Sequence, residues 1–120
     1  LISIKRIYAP AAETDGQRVL VDRLWPRGVA KNAAQLDLWL KEAAPSAQLR
    51  KWFGHDPALW EEFKRRYEAE LTTNAAAVTL RELAARGDLT LLYLLYGAHD
   101  ETHNQAVVLA AFLEKTEPRG

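Results

Sequence analysis

At 120 residues the chain has room for one ordinary domain, and Lys+Arg 16 against Asp+Glu 16 gives a formal net charge of +0. That balance excludes a strongly basic nucleic-acid binder read from bulk charge, while a hydrophobic share of 48% with 27% charged residues excludes a disordered chain. With Cys 0, disulfides, thiolate nucleophiles, zinc fingers and Fe–S clusters are excluded as well.

Residues 2–8 (Ile-Ser-Ile-Lys-Arg-Ile-Tyr) are β-branched and partly alternating, the pattern of a first strand. Pro10 and Thr14-Asp15-Gly16 mark a loop. Val19-Leu20-Val21 is a continuous apolar run ending at Asp22, as expected of a strand covered on both faces. The stretch 32–44 is ambiguous: Leu36, Leu38 and Leu40 alternate like a strand, but the Ala, Glu and Lys among them favour helix, which is the expectation taken. Pro45-Ser46 opens a short helix through Leu49, Trp52 and Phe53.

Asp56-Pro57 opens a longer helix, with Leu59, Phe63, Tyr67 and Leu71 recurring every four residues beside Trp60. On its wet face Glu61–Arg65, Glu62–Arg66 and Arg66–Glu70 fall at i,i+4, each worth about 0.2–0.5 kcal/mol. Asn74 caps a further helix that Gly87 stops. Residues 89–94 read as a second buried strand, and Thr102 with Gln105 fits a capping box for a last helix to about Lys115. Trp39, Trp52 and Trp60 fall on apolar stripes and are expected in the core.

With no internal repeat or Gly/Ser linker, residues 1–120 are expected to form a single α/β domain: a small, mostly parallel sheet of about three to four strands flanked by helices. The connection from Tyr8 to Arg18 is short for a parallel crossover, which leaves room for one antiparallel pair. The chain starts at Leu1 with Met 0, so a start methionine or longer segment is expected ahead of it. No secretory pattern is visible, and the most apolar stretch, 89–95, is too short to span a bilayer; a cytoplasmic protein with no membrane contact is expected.

In open α/β sheets, ligands bind beyond the carboxyl ends of the strands. Two segments there carry chemistry. In Asp22-Arg23-Leu24-Trp25-Pro26-Arg27-Gly28, two guanidinium groups suit a carboxylate or phosphate and the indole offers a stacking face; equally, Arg23 can pair with Asp22 or a helix C-terminus while Trp25 simply packs. In the second segment His99, Asp100, His103 and Asn104 lie near the start of the last helix, where backbone N–H groups favour an anion. His99 and His103 with Asp100 are a conceivable two-His, one-carboxylate metal set, but Gly97 keeps His99 in the loop and no metal is expected. His55, at the corner before the long helix, is either an acid/base group or part of a turn. Ser3 and Ser46 are the only serines, which argues against a Ser-His-Asp hydrolase. Neither G-x-G-x-x-G nor a Walker A pattern occurs, so no cofactor is expected.

The eleven residues 18–28, Arg-Val-Leu-Val-Asp-Arg-Leu-Trp-Pro-Arg-Gly, resemble the hallmark of the YeaO-like branch of the domain-of-unknown-function 488 family. Further matches are Ala44-Pro45-Ser46 with Leu49-Arg50, the helix from Phe63 to Leu71 with Tyr67, Leu89-Thr90-Leu91-Leu92-Tyr93, and Asn104-Gln105-Ala106-Val107-Val108-Leu109. The resemblance implies a small cytoplasmic α/β protein of a bacterial and archaeal family that has no agreed activity. Asp22, Arg23, Trp25, Pro26, Arg27, Gly28 and Asn104 match the motif residue by residue, whereas His99 and His103 do not belong to it. More distant relatives carry Cys-rich motifs near the last strand and helix. This chain has Tyr93 and Asn104 nearby and no cysteine, so thiol chemistry does not transfer.

Two functions are compatible with these residues. In the first, a phosphate- or nucleotide-like small molecule is bound or acted on: Arg23 and Arg27 hold the anion, Trp25, Gly28 and Asp100 shape the site, and Asp22 with Asn104 orient the recognised or reacting group. In the second, a non-catalytic interaction domain meets nucleic acid or a protein through Arg6, Arg23 and Arg27. The first is preferred, since zero net charge argues against the nucleic-acid version.

Overall fold

Leu89-Thr90-Leu91-Leu92-Tyr93 is buried at every position. A computed structural model of the chain, which describes residues 1–25, 28–54, 56–93 and 104–115, places this run inside a four-stranded sheet. In chain order the strands are β1 (Ile2–Arg6), β2 (Gln17–Leu20), β3 (Leu38–Trp39) and β4 (Leu89–Tyr93), arranged β1-β4-β2-β3. Every pairing is parallel: Ile2 lies opposite Leu89, Gln17 opposite Leu89 from the other side, and Val19 opposite Leu38.

The antiparallel pair allowed by the short link after Tyr8 is not formed. β1 and β2 do not pair with each other; β4, from late in the chain, inserts between them. Their link returns through a 3-10 turn at Glu13–Asp15, pinned by its carboxylate: Asp15 accepts from Lys5 Nζ at 2.7 Å, from the Ala12 N–H at 3.0 Å and from the buried Arg18 guanidinium. The Thr90 hydroxyl donates to the Asp15 carbonyl at 2.7 Å, tying the turn to β4.

The helices are α1 (Lys31–Ala34), α2 (Ala47–Phe53), α3 (Trp60–Leu71), α4 (Ala75–Arg86) and α5 (Gln105–Lys115). Alternation along the strands splits the core. Val19, Val21, Leu89, Leu91 and Tyr93 face the larger cluster, built with Phe53, Phe63, Tyr67, Leu80 and Leu109 from α2 to α5. Leu20 and Leu92 face the other side, where Ile7, Ala34, Trp25 and Trp39 form a smaller one. Trp39, Trp52 and Trp60 lie at the margins of these clusters, half-buried.

The helical expectation over 32–44 is corrected: only Lys31–Ala34 is helical, Leu38–Trp39 is a strand and Lys41–Ala43 is a 3-10 turn. Gln35 adopts a left-handed conformation (φ 50°) that ends α1, and the chain then pairs with β2, the Asp37 N–H donating to the Arg18 carbonyl at 2.9 Å. α2 starts at its expected cap, with Ser46 Oγ accepting from the Leu49 N–H at 3.2 Å. Asp56 caps a 3-10 turn at Pro57–Leu59 that leads into α3, and Asn74 caps α4 with a 2.7 Å bond from the Ala76 N–H. Of the expected pairs on α3, Glu62–Arg66 forms at 2.8 Å; Glu61 pairs with Lys64 instead, and Glu70 turns away from Arg66. Thr102 lies outside the described residues. Asn104 caps α5 on Val107 N–H at 3.2 Å, and the Gln105 side chain reaches across to another strand end.

Candidate functional site

Because β2 and β4 are parallel neighbours, their carboxyl ends open on the same rim. There Asp22, just past β2, meets the start of α5: the Gln105 Nε2 donates to Asp22 Oδ1 at 2.6 Å. Asp22 and Asn104 are both buried, at 9% and 5% exposure. Together with Gln105 they line a cavity of about 230 Å³. Its apolar wall includes Phe53 and Phe63, stacked with centroids 4.2 Å apart, and Pro45. Arg50 and Lys51, from the exposed side of α2, complete it. Neither makes an ion pair among the described residues.

The rim is held by bonds that fix backbone and charge together. The Asp22 carbonyl accepts from Trp39 Nε1 at 2.7 Å. Arg23 Nε donates to the Pro45 carbonyl at 2.9 Å, so this guanidinium bridges the strand end to the start of α2. Glu70 of α3 accepts from the Ser46 N–H at 2.9 Å and from its hydroxyl at 2.6 Å, which sets the entry of α2. Tyr67 is fully buried and its hydroxyl donates to the Ala43 carbonyl. Burial, with the Asp22 and Glu70 charges adding to it, pushes that phenol above its ordinary range. Tyr67 therefore stays protonated and structural.

Of the residues singled out in the sequence, Asp22 and Asn104 come together in the cavity. Arg23 lies beside it on Pro45. Trp25 packs with the smaller core, edge-on to Trp39 at 5.3 Å, with its Nε1 donating to the Val29 carbonyl at 2.8 Å. Gly28 is exposed and has a left-handed φ of 76°. Arg27, His55, His99, Asp100 and His103 lie outside the described residues. Among the described residues no group of three His, Cys, Asp or Glu could hold a metal ion. Nor is any helix among them long and apolar enough to cross a membrane.

Arg50, Lys51 and Gln105 carried no signal as site residues in the sequence. Their place depends on which face of α2 is buried: Leu49 and Phe53 enter the core and leave Arg50 and Lys51 outside. The positions were readable once that stripe was drawn, but the cavity beside them was not.

These elements define a small α/β protein with a parallel sheet and a polar rim beside a cavity. The chain belongs to the domain-of-unknown-function 488 family: the model described as the inactive DUF488-N3 subclade matches residues 1–119. It is similar to the uncharacterized protein YeaO of Escherichia coli (strain K12), 44% identical over 113 residues that cover 93% of this chain and 96% of that one. It is also similar to the uncharacterized protein Rv3073c of Mycobacterium tuberculosis (strain ATCC 25618 / H37Rv), 43% identical over 89 residues, 74% of this chain and 75% of that one. No solved structure matches the chain.

Proposed function

We propose that the cavity between Asp22, α2 and α5 binds a compact anionic small molecule of the phosphate- or nucleotide-like kind, in the cytoplasm, without turning it over. The observation that carries this reading is the adjacent pair Arg50 and Lys51, exposed at the cavity and without an ion pair among the described residues. A guanidinium offers a planar fork to phosphate or carboxylate, and an ammonium adds a mobile point charge. The volume, about 230 Å³, is below the usual range for drug-sized ligands, so the ligand is small. Binding is favoured over turnover for one reason. The matched subclade is described as inactive. The other reading, a macromolecular contact through Arg6, Arg23 and Arg27, has weaker support because Arg23 is already engaged by Pro45.

The test is thermal unfolding with rising inorganic phosphate, pyrophosphate or adenosine monophosphate. At one hundred times Kd a bound ligand adds about 2.7 kcal/mol, a rise of several degrees in Tm. The double variant Arg50→Ala, Lys51→Ala is expected to fold normally and lose the response. No shift in the native chain, or an equal shift in the variant, overturns the reading.

A further inference from the structure

Beside its cations the cavity has an apolar wall, formed by Ala44, Pro45 and Ala47 around the start of α2 and by Phe63 of α3. Along residues 44–46 the hydrogen-bonding groups are already engaged. The Ala44 N–H donates to the Lys41 carbonyl at 3.1 Å, and Pro45 has no N–H while its carbonyl accepts from Arg23. Glu70 takes both the N–H and the hydroxyl of Ser46. Resting on the anion-binding reading, we infer that the ligand is a phosphate or carboxylate whose anionic group is joined directly to a small apolar body, an aryl or short alkyl group, and not to a polyol.

Helix geometry sets the spacing between charge and wall. Residues three and four apart share one face of a helix, with Cβ atoms about 5–6 Å apart. Ala47 therefore stands on the same face of α2 as Arg50 and Lys51, which are exposed and make no ion pair among the described residues. An anion held by these two cations has the Ala47 methyl beside it, so a body of a few carbon atoms reaches the wall. Asp22 also lines the cavity, but the two cations outnumber it among the described lining residues. A hydroxyl laid against residues 44–46 gives up water and meets groups that already have partners, which is costly. An apolar body has no such loss, and its burial is favourable in proportion to the area covered. Space permits it: the cavity holds about 230 Å³, where a single water needs only about 10–15 Å³.

The experiment compares phenyl phosphate with glycerol 3-phosphate by calorimetric titration at about pH 8, where both are dianions. The native chain is expected to bind phenyl phosphate about tenfold or more tightly, which corresponds to roughly 55 Å² of apolar surface covered. Its heat-capacity change on binding is expected to be the more negative of the two, the mark of apolar burial. Excess inorganic phosphate is expected to displace it, and Arg50→Ala with Lys51→Ala to weaken it about tenfold or more. Equal affinities, or tighter binding of glycerol 3-phosphate, overturn the inference and leave the anion site standing. Phenyl phosphate that resists displacement, or binds the folded double variant undiminished, sits elsewhere, and the assignment to this wall falls. If neither ligand binds, and melting is unaffected by inorganic phosphate, the underlying reading falls with it. The comparison and the displacement use the native chain alone, so they decide the matter even where the variant fails to fold.

Discussion

Asp15 gathers more polar contacts than its place in a connecting turn would suggest. Lys5, Ala12 and Arg18 all donate to its carboxylate, and the Lys5 bond is the main reason its pKa drops from the ordinary 3.8 to about 2. Because the folded value lies below the unfolded one, the stability Asp15 confers is present above about pH 4 and is lost as pH falls through about 2. Denaturant unfolding of the native chain should weaken across that window, and Asp15→Asn should flatten the loss while lowering stability at pH 7 by about 2–3 kcal/mol. The next residue is constrained by space. Gly16 has φ 66°, and a Cβ there would lie 2.3 Å from the Asp88 carbonyl oxygen. That oxygen accepts from the Gln17 N–H at 3.0 Å, so it cannot retreat without loosening the start of β2. Gly16→Ala is expected to cost about 2 kcal/mol or more, read as a lowered Tm.

At the scale of elements, α2 is short, seven residues, and depends on what holds its ends. Ser46 caps it, and Glu70 of α3 grips both the Ser46 N–H and its hydroxyl. Ser46→Ala should cost about 1 kcal/mol. Glu70→Ala should cost about 1–3 kcal/mol and also weaken phosphate binding, because Arg50 and Lys51 ride on the helix it positions. Unfolding curves and phosphate titrations on the same variants would check both halves of that statement. The elements also show what a sequence reveals. α3 and α4 were legible because their apolar stripes run for three turns between Asp56, Asn74 and Gly87, and β4 because it is apolar throughout. β3 was not: two residues carry no period, and Leu38–Trp39 is a strand only because β2 offers it an edge. The partner of Glu70 was equally hidden, since Arg66 stood at the right spacing and Ser46 was 24 residues away.

At the scale of the whole molecule, charges sum to +0 yet are not evenly used. Sheet order decides this, and it was not legible: nothing in residues 1–25 says that β4 will slot between β1 and β2. Once it does, the carboxyl ends of β2 and β4 adjoin, and the rule that ligands gather at such ends becomes specific enough to bring Asp22 and Asn104 together. The exposed cations of the cavity should then make anion binding depend on salt. Arg50 and Lys51 are exposed, so their attraction for an anion is screened as the Debye length shrinks from about 10 Å at 0.1 M to about 3 Å at 1 M. Asp22 is buried and bonded to Gln105. Raising sodium chloride from about 0.1 M to about 1 M should therefore weaken phosphate binding, read by calorimetric titration, by about tenfold. Phosphate binding that did not change with salt would place the anion away from these exposed cations.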